Sequence, residues 1–301
     1  MSIVVGVDPA HRSASALHLA AMLARSSGSD LIVAAVIPPA WPSTAGGADA
    51  EWRGYTRDNA DSALDHAAAV LGGSIAAEYL LHEAQSARRG LVELAEQREA
   101  SLIVVGSGAG GQPGRIALGA ESDTLLHASP LPVAIAPRGY RADEGARVSR
   151  VTAAYRGTGA SAGLVLGAAG VASAMGAELR VASFAVVPRD SGTSGAGLDA
   201  ELPIADTWSA DIERHAASVV RQVTELEDAP TVSGVVVGMG VTWESAIADI
   251  GWEPGEVLVV GSSTLGPIAR VFLGSHAAKI VRHSPVPVIV VPHGVAGWEQ
   301  D

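Results

Sequence analysis

The sequence predicts an α/β protein built as two tandem doubly wound domains, each a five-stranded parallel sheet with helices on both faces. Three observations carry that prediction. First, Leu102–Pro137 (LIVVGSGAGGQPGRIALGAESDTLLHASPLPVAIAP) returns as Val257–Pro292 (VLVVGSSTLGPIARVFLGSHAAKIVRHSPVPVIVVP), without a gap and at a constant offset of 155 residues, with 13 of 36 positions identical. Second, each copy opens on a continuous apolar run, Leu102–Val105 or Val257–Val260, the pattern of a parallel strand covered on both faces. Third, a glycine directly follows each run (Gly106, Gly261) and another precedes the next helix (Gly119, Gly274). Such loops turn backbone N–H groups toward a cavity above the sheet, which is how α/β proteins hold phosphates. One such loop is weak, because tight turns want glycine anyway. The same loop twice, each followed by S-P-x-P-V from Ser129 or Ser284, is a stronger signal.

The elements follow in order. Ile3–Val7 reads as the first strand, ending at Asp8, and a helix follows over Ser13–Ser27 with Leu17, Ala20, Ala21, Leu23 and Ala24 on its apolar side. Gly28 is placed to cap it, and strand two, Leu31–Val36, starts at once. The short return makes this a right-handed βαβ unit. Pro38–Gly47 reads as a loop, Trp52–Leu71 as a helix, Ser74–Leu81 as strand three and Arg88–Glu99 as a third helix. The second half repeats the plan: strand Arg150–Tyr155, helix Ala160–Met175, Gly176 in the place of Gly28, strand Leu179–Val186, a flexible loop at Arg189–Gly197, helix Thr207–Glu227, strand Val232–Val237 and helix Thr242–Ile250. Tyr140–Ala146 lacks apolar periodicity and is read as containing the linker, about 141–146, between domains at 1–140 and 147–293, with a mobile tail at 294–301. The last strands, Val133–Ala136 and Val288–Val291, are expected at sheet edges, where exposed apolar strands invite pairing.

Composition agrees with this plan. A chain of 301 residues fits one large domain or two of about 150, and the repeat decides for two. With 48% hydrophobic residues each half can bury a core despite very few aromatics, and the dominance of small residues suits close helix-on-sheet packing. No cysteine is present, which excludes disulfides and thiolate-bound metals. A net charge of −12 argues against nucleic-acid or anionic-membrane partners. The start MSIVVGVDPAH has no basic n-region and reads as a strand, and no apolar run approaches the roughly 18 residues of a membrane helix. The expectation is a soluble cytoplasmic protein.

The apolar strand, the glycine loop and the strand-ending aspartate together resemble the universal stress protein family. Its loop is commonly Gly-x-x-Gly, nine residues, then Gly-Ser/Thr; Gly106 and Gly119 match the first and third glycines, as do Gly261 and Gly274, and Asp8 matches the aspartate. The resemblance covers nearly the whole chain. It implies the strand order 3-2-1-4-5 in each domain. It also implies an adenine-nucleotide site for ATP, with or without Mg2+, in which the aspartate reads ribose or adenine beside Val7 and Val36. The glycines and a hydroxyl, Ser122 in the first half and Ser275 in the second, would hold phosphates. The family further implies that the last strands pair, here within one chain as a pseudo-dimer, with a homodimer of chains as a further step.

Both halves depart from the pattern. Ala109 and Ala120 replace the second glycine and the Ser/Thr in the first half. A left-handed backbone at Ala109 would cost roughly 1–2 kcal/mol, and a lost hydroxyl about 1.5–3 kcal/mol; Gly108, Gly110 and Gly111 offer the loop another path. The second half keeps Gly261, Gly274 and Ser275, but has Thr264 at the second glycine and Arg156, a cation without an acceptor, at the position of Asp8. Two readings therefore stand: a nucleotide-binding or sensing protein with its better site in the first domain, and a nucleotide-free interaction module with both sites decayed. Asp8 has an alternative role as cap of the following helix, and Arg115 and Arg270 an alternative as surface ion pairs. The nine histidines show no metal spacing, and His127 and His283 suit helix C-termini. No G-x-S-x-G elbow or Walker loop occurs, so no catalytic residue is assigned and turnover is at most slow ATP hydrolysis.

Overall fold

The computed structural model describes residues 1–11, 13–39, 47–119, 123–126, 129–187, 198–262 and 273–292, with the side chains of the two long helices described from residues 50 and 210 onward. The chain falls into two compact units, one running from Met1 to Arg147 and the other beginning at Val148. The expected loop at Arg189–Gly197, most of the loop at Pro38–Gly47 and the tail after Pro292 lie outside the described residues.

The first unit contains β1 (Ser2–Val7), α1 (Ser15–Ser27), β2 (Asp30–Ile37), α2 (Gly47–Leu71), β3 (Ala77–Glu83), α3 (Ala87–Gln97), β4 (Ala100–Gly106) and β5 (Val133–Ala136), with a helical stretch at residues 123–126. All four of its strand pairings are parallel, in the order β3-β2-β1-β4-β5. The second unit repeats it with β6 (Arg150–Ala154), α4 (Gly159–Met175), β7 (Glu178–Val186), α5 (Leu198–Thr224), β8 (Val232–Gly240), α6 (Trp243–Asp249), β9 (Glu256–Gly261), α7 (Ser275–His283) and β10 (Val288–Val291). Its pairings give β8-β7-β6-β9-β10, the same 3-2-1-4-5 order.

The repeat extends to registers. Ile103 faces Val133 and Gly106 faces Ala136, while Leu258 faces Val288 and Gly261 faces Val291. Central strands are buried on both faces, as Val4, Val5, Ile103 and Val104 show in one unit and Val151, Val259 and Val260 in the other. Gly28 and Gly176 end α1 and α4 in the left-handed conformation, at φ 66° and 64°, where a side chain would be strained.

Several boundaries differ from the sequence reading, for local reasons. α2 starts at Gly47 instead of Trp52 because residues 50–55 are exposed and leave no apolar stripe; burial begins at Ala60. Strand β3 starts at Ala77 instead of Ser74 because Gly72 and Gly73, both with positive φ, carry a turn closed by Ser74 N–H on Leu71 O. α5 starts at Leu198, nine residues before Thr207. The expectation for α6 differs only in that Thr242 and Ile250 are its caps, with Thr242 and Ser245 forming a capping box.

Candidate functional site

Parallel pairing brings the ends of β1, β2 and β4 to one edge of the first sheet, with Val7 beside Ala35 and Val5 beside Val104. Asp8, Val36 and Gly106 therefore share that edge. Asp8 is exposed, and both carboxylate oxygens are engaged: Ala10 N–H donates to Oδ1 at 2.8 Å and His11 Nδ1 donates to Oδ2 at 2.9 Å. The helix-capping role does not hold. α1 takes Ala14 as its N-cap and has no side-chain cap. Asp8 instead closes a turn onto its own loop, leaving its outer surface to solvent, with 54% of the side chain accessible.

The loop after β4 is tightly built. Ser107 Oγ accepts from Ala117 N–H at 2.8 Å, Gly108 N–H donates to Ala117 O at 2.9 Å, and Gly111 N–H donates to Gly108 O at 3.3 Å. A Cβ on Gly108 would sit 3.1 Å from Gly119 N, and one on Gly111 would sit 2.8 Å from Ala117 Cβ. These glycines permit the close approach. Ala109 needs no left-handed backbone, because Glu99 is the one non-glycine residue with positive φ among the described residues; the feared strain does not arise. The N–H groups of Ala109 and Gly110 have no partner among the described residues, and both residues are exposed. Gly106 differs from Gly108: a Cβ there would meet only Ala16 Cβ at 4.0 Å. Packing does not require glycine at that position, and its absence of a side chain leaves room at the sheet edge.

The other expected residues fall as follows. Val7 packs with Leu64 and Leu81 against Ala35, Ile37 and Ala60, so its side chain serves the helix α2 face. Val36 lies against α3, its methyl 2.6 Å from where a Cβ on Gly90 would stand. Gly119 O accepts from Asp123 N–H at 2.8 Å, starting the helical stretch. Ser122, Ala120, His127, Thr264 and Arg270 lie outside the described residues. Arg115 is half-buried and partnered, with Nη1 on Gly114 O at 3.3 Å.

In the second unit Gly261 ends β9, where a Cβ would make ordinary contact with Leu164 at 3.5 Å. Gly274 is the N-cap of α7 and supplies no side-chain cap; Ser275 opens the helix and is exposed. Arg156 lies exposed after β6, its N–H donating to Ser161 Oγ at 3.2 Å, and Ser161 is held in turn by the Thr158 capping box. His276 stands edge-on to Trp243, with ring centroids 5.5 Å apart, and Lys279 Nζ lies 5.5 Å from the centre of the same indole. Desolvation, then the charges of Arg156 and Lys279, hold the His276 imidazole below its ordinary pKa. Sequence inspection tested the histidines for metal spacing and so missed both this cluster and the Asp8–His11 pair. The only available signals were D-P-A-H after the first strand and a histidine two residues past Gly274. His283 sits with Arg282 in the last turn of α7, at the helix C-terminus expected for it.

The S-P-x-P segments are structural. Ser129 and Ser284 are fully buried, and each Oγ donates to a carbonyl two residues on (Leu131 O, Val286 O, both 2.8 Å) while accepting that residue's N–H. The hydroxyl thereby satisfies two backbone groups at the return into the last strand of each unit.

A doubly wound α/β chain in tandem, with a glycine loop at the carboxyl edge of the first sheet, is the class that this geometry defines. The family model described as the universal stress protein family matches residues 1–137 and again residues 148–292. Universal stress proteins Rv2319c of Mycobacterium tuberculosis and Mb2346c of Mycobacterium bovis are each 35% identical to the chain over 305 residues, covering 97% of it and 100% of their own lengths. The chain belongs to the universal stress protein family. A solved universal stress protein from Archaeoglobus fulgidus superposes with a TM-score of 0.60 at 21% identity, covering 97% of this chain and 98% of its own, a likeness of fold.

Proposed function

We propose that the first unit binds an adenine nucleotide of the ATP type, with or without Mg2+, as a stress-responsive binder or sensor and not as a rapid catalyst. The observation that carries this reading is the exposed Asp8 carboxylate at the edge it shares with Gly106, from which the loop with the unpaired N–H groups of Ala109 and Gly110 departs. A carboxylate accepts from ribose hydroxyls, and outward N–H groups suit phosphate oxygens. Gly119, and Ser122 by the family pattern, complete the phosphate end. The second unit keeps Gly261, Gly274 and Ser275 but has Arg156 in place of the carboxylate, so nucleotide binding there is degenerate. The reading includes a cytoplasmic protein, a linker at about 141–146, pairing of β5 with β10 as a pseudo-dimer, and a dimer of chains. Ligand changes the output only through states it binds differently.

ATP titration of the wild type, Asp8→Ala and Arg156→Ala tests the site. A first-unit ATP-binding event that is lost in Asp8→Ala and retained in Arg156→Ala supports it. A second reading, a nucleotide-free interaction module, is favoured by one observation: Asp8 is already satisfied by Ala10 and His11. Absence of binding at millimolar ATP, with no nucleotide released on denaturation, would establish that second reading.

A further inference from the structure

We propose that His276 and Lys279, set against the Trp243 indole at the start of α7, form together with Arg156, which follows β6, a site for a small polyphosphorylated molecule recognised through its phosphate groups alone. This deepens the reading of the second unit and rests on it only for the absence of a ribose-reading carboxylate at position 156.

The cluster is assembled by separate parts of the unit. Arg156 follows β6 and is positioned by its N–H bond to Ser161, which belongs to the α4 capping box. His276 and Lys279 lie three residues apart, on one face of α7. Trp243, the first residue of α6, touches both: His276 edge-on at 5.5 Å and the Lys279 ammonium over its ring at 5.5 Å. All three cationic or protonatable side chains are exposed, in a chain whose net charge is −12. Cations brought together against the overall charge repel one another, and an anion relieves that repulsion. Charge-assisted bonds from guanidinium and ammonium to phosphate are the strong class.

The charged groups on the packed elements are few. α7 also carries Arg282 and His283 in its last turn. α6 carries Glu244, which is itself partnered, and Asp249, which accepts from Met239 N–H at 3.0 Å. Desolvation, then the charges of Arg156 and Lys279, hold the His276 imidazole below its ordinary pKa and favour its neutral form in the free protein. A bound polyanion reverses that field and draws a proton onto the imidazole, so affinity rises as pH falls from 8 to 6.

The test uses the full chain with inorganic tripolyphosphate, ATP and adenosine as probes. Imidazole resonances, assigned by loss in His276→Asn, are followed through a pH titration with each probe, and affinities are measured calorimetrically at pH 6 and 8. Tripolyphosphate and ATP are expected to raise the His276 pKa, adenosine to leave it unmoved, and Arg156→Ala to weaken tripolyphosphate at least about tenfold. Asp8→Ala leaves that binding unchanged, so failure of the first-unit reading appears separately, as ATP binding indifferent to Asp8. The proposal is overturned if millimolar tripolyphosphate leaves His276 unmoved. It is equally overturned if Arg156→Ala and Lys279→Ala both bind as wild type, or if adenosine shifts His276 as ATP does. Unchanged thermal melting of the exposed-site variants confirms that any loss is not unfolding.

Discussion

His11 competes with any ligand for the Asp8 carboxylate, since its Nδ1 already donates to Oδ2. His11→Ala is therefore expected to tighten ATP binding in the first unit without changing stability, because exposed ion pairs contribute little; calorimetry beside a thermal melt checks both parts. Gly106 and Gly108 separate function from packing in the same way. Gly106→Ala meets no close neighbour, so it should melt as wild type while weakening ATP, whereas Gly108→Ala must displace the backbone at Ala117 and Gly119. The buried serines give a contrasting case. Ser129→Ala or Ser284→Ala strands a buried N–H and a carbonyl, with an expected cost of about 1–3 kcal/mol in urea unfolding. The sequence made Asp8 and the loop glycines legible, because backbone geometry restricts residue type. It could not show His11 on Asp8 or Lys279 on Trp243, because side-chain meetings across a loop or between helices leave no periodic trace.

At the scale of elements, the strands were the most legible part, and β5 and β10 match to the residue. Doubly buried strands write themselves as unbroken apolar runs. Helix starts were less legible because solvent-facing turns such as residues 50–55 carry no stripe. The seating of α6 on β8 illustrates what sequence hides. A Cβ on Gly238 would collide with the Ala246 carbonyl, and one on Gly240 with Ser245 and the Ala246 N–H. Gly240→Ala should thus destabilise the second unit by about 1–3 kcal/mol or more through overpacking. The opposite edge of that sheet holds a buried ionic network. Glu256, fully buried, accepts from Arg180 at 2.5 Å, from Thr152 Oγ and from Glu253 N–H, while Arg180 also donates to Ile250 O and Gly251 O and covers Trp252. The first unit has Val4 and Ile32 at the positions of Thr152 and Arg180, by the matching registers, and its β1–β4 register shifts where β6 meets Glu256. Glu256→Ala should cost about 3–5 kcal/mol by leaving the Arg180 charge without its carboxylate, while Thr152→Val, Arg180→Ile and Glu256→Ala combined should recover most of it. Chemical denaturation of the single and triple variants decides this.

For the whole molecule, two partly desolvated histidines contribute to the response to acid. Burial, then Arg141 and Arg25, hold His18 below its ordinary pKa, and desolvation, then Arg156 and Lys279, do the same for His276. A folded-state pKa below the unfolded value means that the unfolded chain binds more protons. Stability is then full above about pH 6.5 and falls as pH drops through the histidine range. Melting temperatures measured from pH 8 to pH 5 should decline, and His18→Asn should flatten the decline. The tandem plan was legible from the repeat alone, whereas the divergence of the two carboxyl edges became readable only once the neighbours of Asp8 and Arg156 were in place. The matched registers of β4–β5 and β9–β10, each closed by its buried serine, carry an engineering consequence. Residues 102–137 and 257–292 share length, entry strand and exit turn, which suits them to exchange as cassettes. A chimera carrying the second cassette in the first position would place the hydroxyl now at Ser275 in the half that carries Asp8.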